Sequence, residues 1–131
     1  QDNGYTYIEP QAYLTCWVAL TDTDEENGCP WVMPGLHQRG TLFHDSTDLG
    51  HEIPLDASEA IPLPLKAGSI AIFSSLTPHR TGPNLSEGIR KSYILQYAPE
   101  GSKRVISQSS AEDLNDETRQ FLILKDGKEV N

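Results

Sequence analysis

The stretch YLTCWVALTD, residues 13–22, alternates Leu14, Cys16, Val18 and Leu20 with Tyr13, Thr15, Trp17 and Ala19. Side chains that repeat every second residue share a face only when the chain is extended, so this period demands a strand with two distinct surfaces. GSIAIFSS (68–75) and KSYILQYA (91–98) are further short strand-like runs bounded by turn residues. Asn27-Gly28 supplies the positive-φ pair of a tight hairpin, which predicts Cys29–Met33 as a return strand against the first. Residues 41–66 are polar, dotted with proline and without period. So long a connection in a small domain reads as a binding rim. One helix is expected, over Ser109–Ile123, where serines and acids precede Arg119 and the leucines. Several short strands with hardly any helix make an all-β sandwich or barrel the expected architecture.

A length of 131 residues fits a single domain, 1–131, and 37% hydrophobic against 22% charged residues is an ordinary globular balance. The net charge of −9 repels phosphate backbones, so a nucleic-acid partner is not expected. No apolar run reaches the length of a membrane span, and two cysteines do not form a disulfide framework, which together suggest a reduced, cytoplasmic setting. The opening tripeptide Gln1-Asp2-Asn3 is an abrupt start, and the chain is expected to be the later part of a longer one.

Asp22, Asp24 and Glu26 alternate like the start of a calcium loop, yet Asn27 and Met33 occupy the places where that loop wants glycine and glutamate, so a solvated turn is the better reading. His37, His44 and His51 lie in bends and in the irregular loop and read as ordinary polar residues. His79 differs, because it ends an apolar run behind Pro78 and precedes the turn Gly82-Pro83-Asn84, a place from which a side chain can face a cavity. In IRKSYILQY the alternation puts Arg90, Ser92, Ile94 and Gln96 on one side. If the strands carrying His79 and Arg90 pair, both side chains reach one pocket, where a guanidinium fork would grip a carboxylate. A structural ion pair with one of the acids is the competing reading, and spacing alone does not reject it.

Several features occur together and in order: "QD" and a tyrosine, WVALTD followed by NG, PGLH, GSIAIF, and HRTGPNLSEGIRKSY. Over roughly residues 1–99 this set resembles the phytanoyl-CoA dioxygenase family of non-haem iron, 2-oxoglutarate-dependent oxygenases. The resemblance implies a double-stranded β-helix, a cupin-like jelly roll, in keeping with the all-β reading. It implies Fe(II) held by His-x-Asp and a distant His. On this sequence those positions fall on Asp2 and His79, with the first His immediately before Gln1 and outside the sequence. Related halogenases replace the carboxylate by a small residue, so Asp2 points to hydroxylation.

By the same resemblance Arg90 binds the distal carboxylate of 2-oxoglutarate, Thr81 assists it, and Trp17 lies near the cosubstrate, although plain core packing explains Trp17 equally well. The implied reaction oxidises a C–H bond of a small organic substrate with O2 and turns 2-oxoglutarate into succinate, with room for ascorbate as a reductant. Two other readings stay open here: a jelly roll that binds a small molecule without catalysis, and a structural or interaction domain.

Overall fold

The alternating stretch becomes the central strand of the molecule. In the computed structural model, which describes residues 1–10, 12–48, 50–114 and 120–130, the strands run β1 (Ile8–Glu9), β2 (Leu14–Ala19), β3 (Pro30–Val32), β4 (Asp45–Thr47), β5 (Gly50–Glu52), β6 (Ile61–Pro62) and β7 (Ile70–Ser74). They continue as β8 (His79–Thr81), β9 (Ser92–Tyr97), β10 (Lys103–Ser107), β11 (Ser110–Asp113), β12 (Leu124–Lys125) and β13 (Lys128–Glu129). Short 3-10 turns occupy Asp2–Gly4, Leu36–Arg39 and Ala57–Glu59, and no α-helix occurs among the described residues.

Two antiparallel three-stranded sheets, ordered β7-β2-β9 and β6-β3-β8, form the body of a jelly roll. Register explains how the first sheet gets its two faces. Thr15 lies opposite Phe73 and Gln96, Trp17 opposite Ala71 and Ile94, and Ala19 opposite Ser92. This is the inner face, and Trp17, Ala19 and Ala71 are buried there against Phe73 and against Leu63 and Leu65 beside β6. The other face carries Leu14, Val18, Ile70, Ile72 and Tyr93, and there Leu14, Ile70, Ile72 and Tyr93 are exposed. A smaller cluster of Ile8, Tyr13 and Leu114 ties the sheet β1-β10-β11 to the start of β2.

Two expectations are corrected. The turn at Asn27-Gly28 forms, with Asp24 and Asn27 exchanging side-chain-to-backbone hydrogen bonds of 2.9 Å, but it does not close a hairpin. β3 leaves for the second sheet, pairing β6 and β8, while β2 pairs β7 and β9. A two-sided strand such as β2 gains more from central sheet neighbours than from a three-residue return strand. The helix expected over Ser109–Ile123 is also not found where that span is described. Ser110–Asp113 is β11, and its acids face bases on β10, Asp113 opposite Lys103 and Glu112 opposite Arg104. What read as a negatively charged first helical turn is a set of cross-strand charge pairs. Positions 115–119 of that span lie outside the described residues.

Asp22 does not stand in a calcium loop: its carboxylate accepts from Lys66 at 2.7 Å and from the Ala67 amide at 2.9 Å. The turn instead packs against the segment after β8. Gly28 has φ +89°, and a Cβ built there would stand 2.5 Å from the Gly82 carbonyl oxygen. Gly28→Ala combines an unfavourable left-handed backbone with that collision. It is expected to destabilise the fold by about 1–3 kcal/mol, read as a lower urea midpoint with an unchanged slope.

Candidate functional site

Residues from opposite ends of the chain meet at the end of the two sheets. Asp2 opens the first 3-10 turn, whose carbonyl accepts from the Tyr5 and Thr6 amides at 3.0 Å. That turn is held in place by its neighbours. The Gln1 side chain donates to the Gly40 carbonyl at 3.0 Å and to the Leu76 carbonyl, and accepts from the Leu42 amide at 2.8 Å. Asn3 donates to Thr41 Oγ1 at 2.7 Å and accepts from the Ile8 amide at 3.2 Å. With both flanking side chains buried and satisfied, Asp2 has little freedom.

The Asp2 carboxylate takes a 2.5 Å hydrogen bond from Thr15 Oγ1 and faces His79 Nε2 at 3.4 Å. His79 Nδ1 lies 2.9 Å from the Thr77 carbonyl, which can only accept, so Nδ1 carries a proton; Nε2 faces Asp2, donating to it when the ring is protonated and keeping a lone pair for a cation when the ring is neutral. The neutral imidazole and the carboxylate are a donor set for a cation, and the Thr77 bond fixes the ring as metal-bound histidines require. Asp2 and His79 are two donors; among the described residues no group of three His, Cys, Asp or Glu side chains is arranged to hold a metal. Burial pushes the Asp2 carboxyl up, but the hydrogen bonds from His79 and Thr15 and nearby positive charge outweigh it and leave its pKa below the ordinary value.

Arg90 reaches this region by another route than strand pairing. β8 and β9 belong to different sheets, so the expected pairing of the His79 and Arg90 strands does not occur. Arg90 instead precedes β9 on the inner face, with its guanidinium carbon 6.0 Å from the Trp17 ring centre, a cation–π approach. Its Nε is buried and makes no hydrogen bond among the described residues. Trp17 is core and neighbour of Arg90 at once, which answers both readings of that residue. Phe73 bridges the two parts: it packs on the Trp17 cluster and lies 4.7 Å, ring to ring, from His79. Thr81 shares the strand β8 with His79 but is exposed and makes no side-chain hydrogen bond among the described residues.

Sequence reading passed over Thr15, Gln1, Asn3 and Phe73. The period-two face shared with Trp17 was the available signal for Thr15. The others act through contacts distant in sequence and left no local trace.

The family model described as phytanoyl-CoA dioxygenase matches residues 1–92. The chain belongs to the phytanoyl-CoA dioxygenase family. It is 33% identical over 92 residues to "Phytanoyl-CoA dioxygenase 1" of Oryza sativa subsp. japonica, a match covering 66% of this chain and 33% of the rice protein. It is 34% identical over 94 residues to "Methylphosphonate hydroxylase" of Gimesia maris, covering 72% and 35% respectively. The chain thus spans about a third of the length of these family relatives. Among solved structures it resembles ThoJ, described as a non-heme monooxygenase, at TM-score 0.72 and 29% identity over 93% of this chain and 47% of that one. It also resembles EvdO2 of Micromonospora carbonacea complexed with 2-oxoglutarate, at TM-score 0.68 and 28% identity over 82% and 46%. Among the described residues no helix is long and apolar enough to cross a membrane.

Because Asp2 is held below its ordinary pKa by hydrogen bonds, its contribution to stability is present above the unfolded-state pKa and is lost as pH falls through the folded one. Thr15→Val removes one of those bonds. The Asp2 carboxyl pKa is expected to rise, with acid destabilisation starting at higher pH, as followed by carboxyl carbon NMR titration and melts across acid pH.

Proposed function

We propose that this chain forms the core of an Fe(II)- and 2-oxoglutarate-dependent oxygenase that hydroxylates a C–H bond of a small organic molecule. The observation that carries the reading is the meeting of Asp2 and His79, 3.4 Å apart, with the imidazole proton fixed on the far nitrogen. Asp2 and His79 would hold Fe(II), with a histidine directly before Gln1 as the proposed third donor. Bound there, iron supplies the activation of O2 that splits 2-oxoglutarate to succinate and CO2 and delivers the second oxygen atom to the substrate, RH becoming ROH.

The protein's own residues bind and orient. Arg90 grips the distal carboxylate of 2-oxoglutarate by a charge-assisted fork, and its buried Nε, unpartnered among the described residues, supports that assignment. Trp17 and Phe73 wall the cosubstrate from water, which strengthens the ion pair. Thr15 holds the Asp2 carboxylate in one orientation, and Thr77 does the same for the His79 ring. Thr81 stands on the His79 strand, ready to add a hydroxyl to the cosubstrate. Residues 41–66 form the substrate-facing rim: His51, Ile53, Leu55 and Ala60 line a cavity of about 330 Å³ together with His79. That volume suits a small organic molecule.

A jelly roll that binds without turnover is the second reading, favoured by the count of two donors among the described residues. Succinate formation separates the two. In the full-length protein, Asp2→Ala and His79→Ala are each expected to abolish iron-dependent succinate release, and wild-type turnover in either would refute the donor assignment. Arg90→Ala is expected to raise the 2-oxoglutarate concentration needed by a factor of about 30 or more, since losing a buried charge partner costs roughly 2–5 kcal/mol. An unchanged requirement would remove Arg90 from the pocket.

A further inference from the structure

The cavity beside His79 has a cation on its wall that no described residue neutralises. Arg80 follows His79 on β8, where its strand neighbour is Trp31 on β3. Its guanidinium carbon sits 5.6 Å from the Trp31 ring centre. That stack positions the group and leaves its N–H donors free. In a chain with nineteen acids and ten Lys and Arg residues, carboxylates are the commonest side-chain charge. Lys66, Lys103 and Arg104 each hold one. Arg80 has no ion pair and no side-chain hydrogen bond among the described residues, although Glu52 lines the same cavity. Trp31, Met33, Ile53 and Leu55 supply apolar surface to the cavity that Arg80 and His79 also line.

We propose that this cavity takes a small organic anion, its carboxylate or phosphonate held by Arg80 and its apolar part laid along Trp31 and Ile53 towards His79. The arrangement is that of a small-molecule site: apolar side chains interleaved with polar ones, with Arg80 and Glu52 as the charged groups and Arg80 the one that can receive an anion. Only a ligand of negative charge uses the free donors of Arg80, and bidentate geometry favours a planar carboxylate or a phosphonate over a hydroxyl. The anion also has to enter a protein of net charge −9. A cation stacked at the cavity wall offsets that repulsion locally. The inference names the substrate class of the oxygenase reading and rests on it for the role of His79, but binding of the anion does not require turnover.

The test is calorimetric titration of the iron-free full-length protein with phenylphosphonate and with benzoate, using benzamide as the uncharged counterpart. Wild type is expected to bind both anions saturably and benzamide at least ten times more weakly. Arg80→Gln is expected to weaken anion binding about tenfold, the order of one charge-assisted contact at a partly exposed site. Arg80→Lys is expected to keep part of it, and Lys66→Gln, in the exposed pair with Asp22, to leave it unchanged. Arg80 is exposed and contacts chiefly Trp31, so its variants retain the wild-type melt. Equal affinities for wild type and Arg80→Gln, equal binding of benzamide and the anions, absence of anion binding, or loss on Lys66→Gln alone would each overturn the proposal. Succinate release by the iron-loaded protein, measured separately, reports on the oxygenase reading whatever the titration gives.

Discussion

A carboxylate and an imidazole facing each other across 3.4 Å are the constraint on which the rest of this structure turns. Each group is tied from behind: Asp2 by Thr15, His79 by the Thr77 carbonyl. Neither can rotate away without leaving a polar atom unsatisfied in a partly buried place, so the pair is held in one arrangement. The cost of that arrangement is met by the surrounding fold. Gln1 and Asn3 rivet the first turn to residues 40–42 and 75–76, and the second sheet carries His79 beside Phe73.

The jelly roll makes the convergence possible because its strands change sheets. β2 and β9 build one wall, β3 and β8 the other, and the inner faces meet over Trp17 and Phe73. Arg90 enters along one wall and His79 along the other. Arg80, one residue further, is exposed and lies over the Trp31 ring. A single strand therefore brings His79 to Asp2 and Arg80 to the Trp31 ring. The family match over residues 1–92 covers all of these groups.

How much of this could be read from the chain varies residue by residue. The two faces of β2 and the inner set Arg90, Ser92, Ile94 and Gln96 were legible, because a period of two is a local property. Asp2, His79 and Arg90 were legible only through an ordered motif set. The destination of β3 was not, since Asn27-Gly28 states that the chain turns and not which strand it will meet. Ser110–Asp113 misled for a related reason: acids after serines suit a helix start and a cross-strand charge ladder equally well, and Lys103 and Arg104 on β10 decided between them.

By itself, then, the sequence determined where the chain is extended, which side chains share a face, and which residues could bind a cation or a carboxylate, because these follow from local geometry and side-chain chemistry. Tertiary structure alone decided that Asp2 meets His79, that Arg90 comes in beside β9 to stand over Trp17, and that Arg80 has no carboxylate partner among the described residues. Those outcomes depend on which strands pair and on what remains unpaired once they have done so.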